Sequence, residues 1–248
     1  MSMTSTQRPL ARLPSLRQAE TVARGSERAV FEWEDEPTIL LKLTHDHAVL
    51  RDPFGRTRDP IHSREVRAWR AALQYSARTG RPPPVAEILV LRSIDGSIVQ
   101  LVRKVADAEG RMGPMLDRLI ASDAFGDAEL DLLNALAADL AAAGIVVYDA
   151  RPANIVLEKR RDGPARFVLV DGFGDRAAIP LRALLPPLAR RRLARALRRT
   201  AQETGLEFDG VRFAFPVSPC GAGRQPPTNG ASAPHTSRTR ASRPQASR

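Results

Sequence analysis

The chain has 248 residues, a single cysteine at position 220 and a formal net charge of +10. One cysteine excludes a disulfide framework and a cysteine-based zinc site. No run of about eighteen apolar residues occurs, and no continuous apolar stretch follows the N-terminal arginines. We therefore expect a cytoplasmic protein that neither crosses nor enters a membrane.

The positive charge is concentrated near the C-terminus. Residues 176–202 hold eight arginines and residues 217–248 hold five, with no acidic residue in either segment. The rest of the chain therefore carries a net charge of −3, which disfavours a nucleic-acid-binding protein. The arginines at 190–199 alternate with leucines at helical spacing, which predicts a docked amphipathic helix. Its outer face is a possible contact for an acidic protein partner.

The composition divides the chain into four parts. Residues 1–20 form an expected flexible arm, and residues 217–248, rich in Pro, Ser and Gly, an expected disordered basic tail. Between them we expect a β-rich part at 21–104 and a mainly helical part at 105–216.

The first half contains several strand patterns around one helix. Residues 21–23, 29–31 and 38–43 predict three strands of an antiparallel sheet, and 85–91 and 97–103 predict two more. Between these groups, Ser63 is the predicted N-cap of a helix. The apolar residues Val66, Trp69 and Leu73 of that helix would share one face.

The second half begins with the clearest helix. It is predicted to start at Asp127, and Gly144 ends it. Residues 155–158 and 167–170 predict a β-hairpin, and two helices are predicted at 181–188 and 187–203.

The predicted hairpin brings polar side chains together. If Ile155 lies opposite Val170, then Asn154 lies beside Asp171 at the mouth of the hairpin. Carboxylate and carboxamide oxygens suit Mg²⁺, which usually takes one or two protein ligands. Asp149, on the loop just before Asn154, would project to the same end, where it could accept a proton from an attacking hydroxyl. The sequence thus predicts two metal ligands and one base.

The same residues resemble a known family. The segment Tyr148–Asn154 resembles the catalytic loop of protein-kinase-like phosphotransferases, and Asp171-Gly172-Phe173 resembles their metal-binding motif with Gly and Phe exchanged. Residues 23–31, 144–149, 170–175 and 179–181 are more narrowly similar to the YrbL family, described as part of the PhoP regulatory network. The resemblance covers roughly residues 20–200. It implies an α+β, two-lobed protein-kinase-like fold with a small β-rich N-lobe at 21–104 and a truncated, mainly helical C-lobe at 105–216.

The resemblance also implies a role for each site residue, with ATP and Mg²⁺ as cofactors. Lys42 would contact the nucleotide phosphates, Glu65 would pair with Lys42, and Gly25 and Ser26 would form the turn over the phosphates. In the second half, Asp149 would be the catalytic base, Arg151 would contact the transferred phosphate, and Asn154 and Asp171 would hold the metal.

Three departures from the kinase pattern leave an alternative open. The phosphate-covering turn has one glycine instead of three, Tyr148 replaces an arginine before Asp149, and no Ala-Pro-Glu follows Asp171. The leading hypothesis is nucleotide binding with phosphoryl transfer to an unidentified acceptor. The alternative is a pseudokinase that acts as a regulatory or interaction module.

Overall fold

A five-stranded antiparallel sheet forms the centre of the first half of the fold. The computed structural model describes residues 20–24, 28–33, 35–44, 50–51, 57–58, 60–94, 97–161, 163–175 and 185–216. All of them belong to one compact unit, Met1–Pro216. The expected tail, and the arm up to residue 19, lie outside the described residues. None of the helices in the described ranges is long and apolar enough to cross a membrane.

The elements of the first half are mostly strands. In chain order they are β1 (Glu20–Arg24), β2 (Arg28–Glu32), β3 (Ile39–Thr44), β4 (Leu50–Arg51), β5 (Thr57–Arg58), α1 (Pro60–Thr79), β6 (Ile88–Ile94) and β7 (Ser97–Arg103). The main sheet has the order β1-β2-β3-β7-β6, and β4 and β5 form a separate two-stranded ribbon.

Alternation along β3 assigns its side chains to two faces of the sheet. Leu41 is fully buried in an apolar cluster on one face, whereas Leu40 packs on the other face against the core that includes α1. Lys42 shares the face of Leu40. The register places Lys42 between Val30 on β2 and Gln100 on β7, so a buried lysine lies at the centre of the sheet.

Two predicted elements of this half were placed wrongly. Helix α1 begins at Pro60 rather than at Ser63; a proline suits the first turn of a helix, where its missing N–H has no intrahelical partner. Leu73 is exposed instead of lying on the buried stripe. Strand β6 begins at Ile88, because Val85 forms its bridge with Leu169 of the later hairpin rather than with β7.

The second half is mainly helical. Its elements are α2 (Leu116–Ala121), α3 (Asp127–Ala142), β8 (Ile155–Glu158), β9 (Arg166–Leu169), α4 (Pro186–Thr204), β10 (Glu207–Phe208) and β11 (Phe213–Ala214). The predicted start of α3 is confirmed. Gly144 follows the end of α3 in a left-handed conformation with φ of +66°. The predicted α+β class is also confirmed.

Helix α4 replaces the two helices predicted near the end of the body. It is one continuous helix with proline in its first turn, and Gly205 ends it with φ of +73°. Its buried stripe includes Leu193 and Leu197, so the predicted docking of an amphipathic helix is confirmed. The predicted start of the first helix, at 181–184, lies outside the described residues.

Candidate functional site

The hairpin of β8 and β9 supports the site. Its register pairs Ile155 with Leu169, one residue short of the predicted pairing with Val170. The Val170 amide donates to the Asn154 carbonyl at 2.9 Å, which continues this register by one pair, and the Val170 carbonyl accepts from Lys42 Nζ at 2.5 Å. Asn154 immediately precedes β8, and Asp171 comes two residues after the end of β9. Both line the same cavity.

The Asp149 loop is fastened to the turn after Asp171 through Gly172. The backbone amides of Tyr148 and Asp149 both donate to the Gly172 carbonyl, at 2.9 and 3.0 Å. Gly172 has a φ of +81°, and a Cβ there would lie 1.8 Å from the Asp149 carbonyl oxygen. Only glycine fits this contact, which brings the expected base and the expected metal ligand together.

Asp149 forms an ion pair with Arg151. The Arg151 Nε donates to both carboxylate oxygens, at 3.1 and 3.0 Å, and the Nη2 nitrogen lies 2.9 Å from Oδ2. The Asp149 side chain is 28% exposed and that of Arg151 66% exposed. Hydrogen bonding and the charge of Asp149 raise the pKa of Arg151. The nearby Asn154 side-chain amide donates to the Asp149 carbonyl at 3.4 Å, which leaves its carboxamide oxygen for another contact.

Arg28 is the site residue that the sequence reasoning missed. Its guanidinium donates to Glu65 Oε2 at 2.8 Å through Nη1, and to Asp171 Oδ1 through Nη2. Burial works to lower the pKa of Arg28, but the charges of Glu65 and Asp171 outweigh burial and raise it. Arg28 therefore joins helix α1 to the turn after the hairpin.

Lys42 and Glu65 do not form the direct pair that the resemblance implied. Both are buried, but among the described residues Glu65 pairs with Arg28, while Lys42 donates to the carbonyl of Val170. The other Glu65 oxygen, Oε1, is buried without a hydrogen-bond partner within the described part of the chain. Burial, together with the charge of Arg28, lowers the pKa of Lys42, although Glu65 and Asp171 act against this.

Asp171 lies among positive charges. Burial alone would raise the pKa of its carboxyl, but Arg28, Lys42 and the backbone amide of Gly172 outweigh burial and lower it. The side chain keeps 37% of its surface exposed. Asp171 is therefore an anionic oxygen donor at the wall of the cavity.

Tyr148 connects the Asp149 loop to helix α1. Its hydroxyl accepts from Arg64 Nη2 at 2.7 Å, and the Arg64 guanidinium carbon lies 4.7 Å from the centre of the ring. Burial and the charge of Asp171 raise the pKa of Tyr148 to about 12. Tyr148 is thus a neutral contact for a cation on α1.

A cavity of about 460 Å³ lies between the sheet and the hairpin. Its polar lining includes Arg28, Lys42, Asp149, Asn154 and Asp171, together with Arg24, Arg103 and Arg151. Its apolar lining includes Val30, Leu40, Val102, Met115 and Val156. Gly25 and Ser26, the expected phosphate-covering turn, lie outside the described residues.

The comparison with protein families gives one match, to the family described as PhoP regulatory network protein YrbL, over residues 15–205. The chain belongs to the YrbL family. No curated protein matches the chain with significant similarity. The predicted YrbL resemblance is therefore confirmed, and the matched range contains every site residue described above.

Strand alternation offered a signal that could have identified Arg28. Arg28 begins β2 and lies two residues before Val30, so strand alternation places both side chains on one face of the sheet. That face also carries Lys42, which pairs with Val30 in the register. What the alternation does not give is the distance to Asp171, which follows it by 143 residues.

Proposed function

We propose that the chain binds ATP and Mg²⁺ between two lobes of a protein-kinase-like fold and transfers the γ-phosphate to an acceptor hydroxyl. The observation that carries this proposal is the cavity of about 460 Å³, whose lining combines apolar side chains with Lys42, Asp149, Asn154 and Asp171. Its volume lies in the range of small-ligand sites.

The walls of the cavity suit the two parts of a nucleotide. Apolar surfaces for a planar base come from Val30 and Leu40 of the sheet and from Met115 and Val156 of the second half of the chain. Arg28 and Lys42 supply positive charge for phosphates. Glu65 pairs with Arg28 instead of Lys42, and this pair holds the Arg28 guanidinium at the wall of the cavity.

The oxygen donors fit a magnesium ion. Asp171 would supply a carboxylate oxygen and Asn154 a carboxamide oxygen, whose amide nitrogen donates to the Asp149 carbonyl, and Mg²⁺ commonly takes one or two such protein ligands. When bound there, the ion would neutralise charge on the nucleotide phosphates.

In this proposal Asp149 acts as the base. Its carboxylate lines the cavity, and it can accept the proton of an acceptor hydroxyl as the oxygen bonds to the γ-phosphorus. The two hydrogen bonds to the Gly172 carbonyl hold its backbone in place. The Arg151 guanidinium is paired with this carboxylate. For Asp149 to accept the proton, this ion pair would have to loosen or break during phosphoryl transfer.

A pseudokinase is the second candidate, and one observation favours it. The two acids that the reaction needs are both paired with arginines: Asp149 with Arg151, and Asp171 with Arg28. Such pairs could stabilise the fold without catalysis. In that case the chain would keep the cavity and serve as a regulatory or interaction module.

A nucleotide titration tests the proposal. ATP with Mg²⁺ should stabilise the protein by about 2.7 kcal/mol when the ligand is at 100 times its dissociation constant. Asp171→Asn should remove most of the Mg²⁺-dependent part. Asp131→Asn makes the same charge change on the exposed face of α3, so it should leave the shift unchanged. The readout is thermal unfolding with and without the metal.

The two candidates differ in what Asp149→Asn does. For an enzyme, the variant should bind nucleotide like wild type and lose ATP turnover with the acceptor. For a pseudokinase, neither protein should turn over ATP with any acceptor in a screen of sugars, lipids and proteins. A wild-type protein that shows no shift with ATP, with or without Mg²⁺, would contradict the proposed nucleotide binding and leave the interaction module, which does not need ATP.

A further inference from the structure

A second cavity of about 380 Å³ adjoins Asp149. It is lined by the loop 148–151 and by four residues of α4, namely Arg192, Ala196, Arg199 and Glu203. Tyr148, Asp149 and Arg151 also line the larger cavity, so the two spaces share the wall that carries the expected base. A group in the smaller cavity would therefore lie beside Asp149 without occupying the nucleotide space.

The α4 residues form one stripe on the helix. Arg192, Ala196, Arg199 and Glu203 follow one another at spacings of four, three and four residues, which places them on one face. Ala196 is buried, and its small side chain leaves room between the two arginines. The sequence analysis had assigned these arginines to an outer face. Arg192 is in fact half-buried and lines the cavity.

Helix α4 is held against the loop by a buried hydrogen bond. Thr200 Oγ1 donates to the Ala150 carbonyl at 2.5 Å, from the residue next to Arg199 to the residue next to Asp149. Leu193 and Leu197 pack into the core on the neighbouring face of the helix. The stripe is therefore fixed relative to Asp149 by packing as well as by the hydrogen bond.

The charges of the stripe favour one anionic group. Arg192 and Arg199 add positive charge to the walls beside the ion pair of Arg151 and Asp149, and Glu203 adds one negative charge. Arginine binds phosphate and carboxylate through parallel hydrogen bonds. Glu203 would repel a chain of phosphates such as a nucleic-acid backbone, and the volume suits a small molecule.

We infer that this cavity binds the acceptor, and that the acceptor is a small alcohol with a phosphate or carboxylate group. The inference rests on the proposed function. The anionic group lies at Arg192 and Arg199 and the hydroxyl faces Asp149. The hydroxyl oxygen bonds to the γ-phosphorus of ATP while the bond from that phosphorus to the β,γ-bridging oxygen breaks. The hydroxyl proton goes to Asp149 and ADP leaves with the bond's electron pair.

The first test uses inorganic phosphate as the probe. Wild type is titrated with phosphate at constant ionic strength while a non-hydrolysable ATP analogue and Mg²⁺ saturate the larger cavity. The test variant is Arg192→Gln/Arg199→Gln. The control is Arg191→Gln/Arg198→Gln, which makes the same change one residue earlier, at positions that do not line the cavity. Phosphate should bind the test variant about tenfold more weakly than wild type or the control.

Two further variants separate a local effect from damage to the fold. Arg199 is exposed, so Arg199→Gln alone should keep the melting temperature and still weaken phosphate binding. Glu203→Gln should strengthen it, because the variant removes the one carboxylate of the stripe. Equal phosphate affinity in wild type and the Arg192→Gln/Arg199→Gln variant would overturn the inference. So would a wild-type protein that binds no phosphate.

A turnover screen identifies the acceptor and keeps the two proposals distinguishable. ATP consumption should occur with an anionic alcohol, such as a sugar phosphate or a hydroxy acid, and not with the parent sugar. Consumption with only neutral acceptors would overturn the inference and leave the proposed function intact. If the ATP analogue binds none of the proteins, the proposed function and the acceptor role both fail. In that case, phosphate binding that still depends on Arg192 and Arg199 would show an anion-binding site without a role in phosphoryl transfer.

Discussion

Alanine at position 172 should break the contact between the Asp149 loop and the turn after Asp171. Gly172 has a φ of +81°, and its carbonyl accepts the backbone amides of both Tyr148 and Asp149. An added Cβ would lie 1.8 Å from the Asp149 carbonyl oxygen and 2.9 Å from the Asp149 Cβ. Backbone atoms cannot rotate away as a side chain can, so the loop and the turn must separate.

Gly144 provides a matched control for the size of the effect. It has a φ of +66°, and a Cβ there would meet no atom within 4 Å. Gly144→Ala should therefore cost only the strain of a left-handed alanine, about 1–2 kcal/mol. Gly172→Ala carries the same strain and also loses two hydrogen bonds, at about 0.5–1.5 kcal/mol each. The expected total for Gly172→Ala is about 2–5 kcal/mol.

Urea unfolding of wild type and the two variants measures the difference. Gly172→Ala should also weaken nucleotide binding, because the positions of Asp149 and Asp171 change together, whereas Gly144→Ala should bind like wild type. If the two alanines lower the free energy of unfolding equally, the contact between Gly172 and Asp149 is not tight in solution. The argument that this glycine positions the site would then be wrong.

Three other substitutions test the packing around the site, each by chemical denaturation. Gln100 is fully buried and its amide has no partner within the described residues. Gln100→Met should therefore raise the free energy of unfolding by about 1–3 kcal/mol. An unchanged or lower value would contradict this. Leu193→Ala should lower it by about 2–5 kcal/mol, whereas the exposed Leu188→Ala should change it by less than about 0.5 kcal/mol. Thr200→Val should lower the free energy of unfolding by about 1–3 kcal/mol, because it leaves the Ala150 carbonyl without its donor. A variant as stable as wild type would show that this hydrogen bond contributes nothing.

Local patterns predicted the parts of the fold that depend on neighbouring residues. The strands of the sheet, the start of α3 at Asp127 and the α+β class all follow from alternation, helical periodicity and turn residues. The hairpin was also predicted, because a short connection leaves antiparallel pairing as the simplest arrangement. Its register was wrong by one residue, because all four residues of β8 are buried and no alternation along this strand distinguishes the two registers.

From the residues alone, the site was predicted as far as one loop and one hairpin bring it together, which covers Asp149, Asn154 and Asp171. Lys42 and Glu65 were added by the family resemblance. Asp149 and Asn154 share one loop, so their proximity could be read from the sequence. The pairing of Arg28 with Glu65 and Asp171 spans 37 and 143 residues, and no local pattern encodes it. Helical periodicity had assigned Arg192 correctly to the polar face of α4, but it does not reveal that this face borders the Asp149 loop.

If Mg²⁺ and a nucleotide bind as we propose, the ion pairs of the site would couple the two binding events. Arg28 contacts Asp171, the carboxylate that we propose as a metal ligand, so a metal ion at Asp171 and the Arg28 guanidinium share the same anionic group. A metal ion there would weaken the hold of Asp171 on Arg28 and leave more of the positive charge of Arg28 for phosphates in the same cavity. Glu65 would keep Arg28 in place, because its ion pair with Nη1 is buried and separate from Asp171. The arrangement therefore favours a nucleotide and a metal that bind together over either one alone.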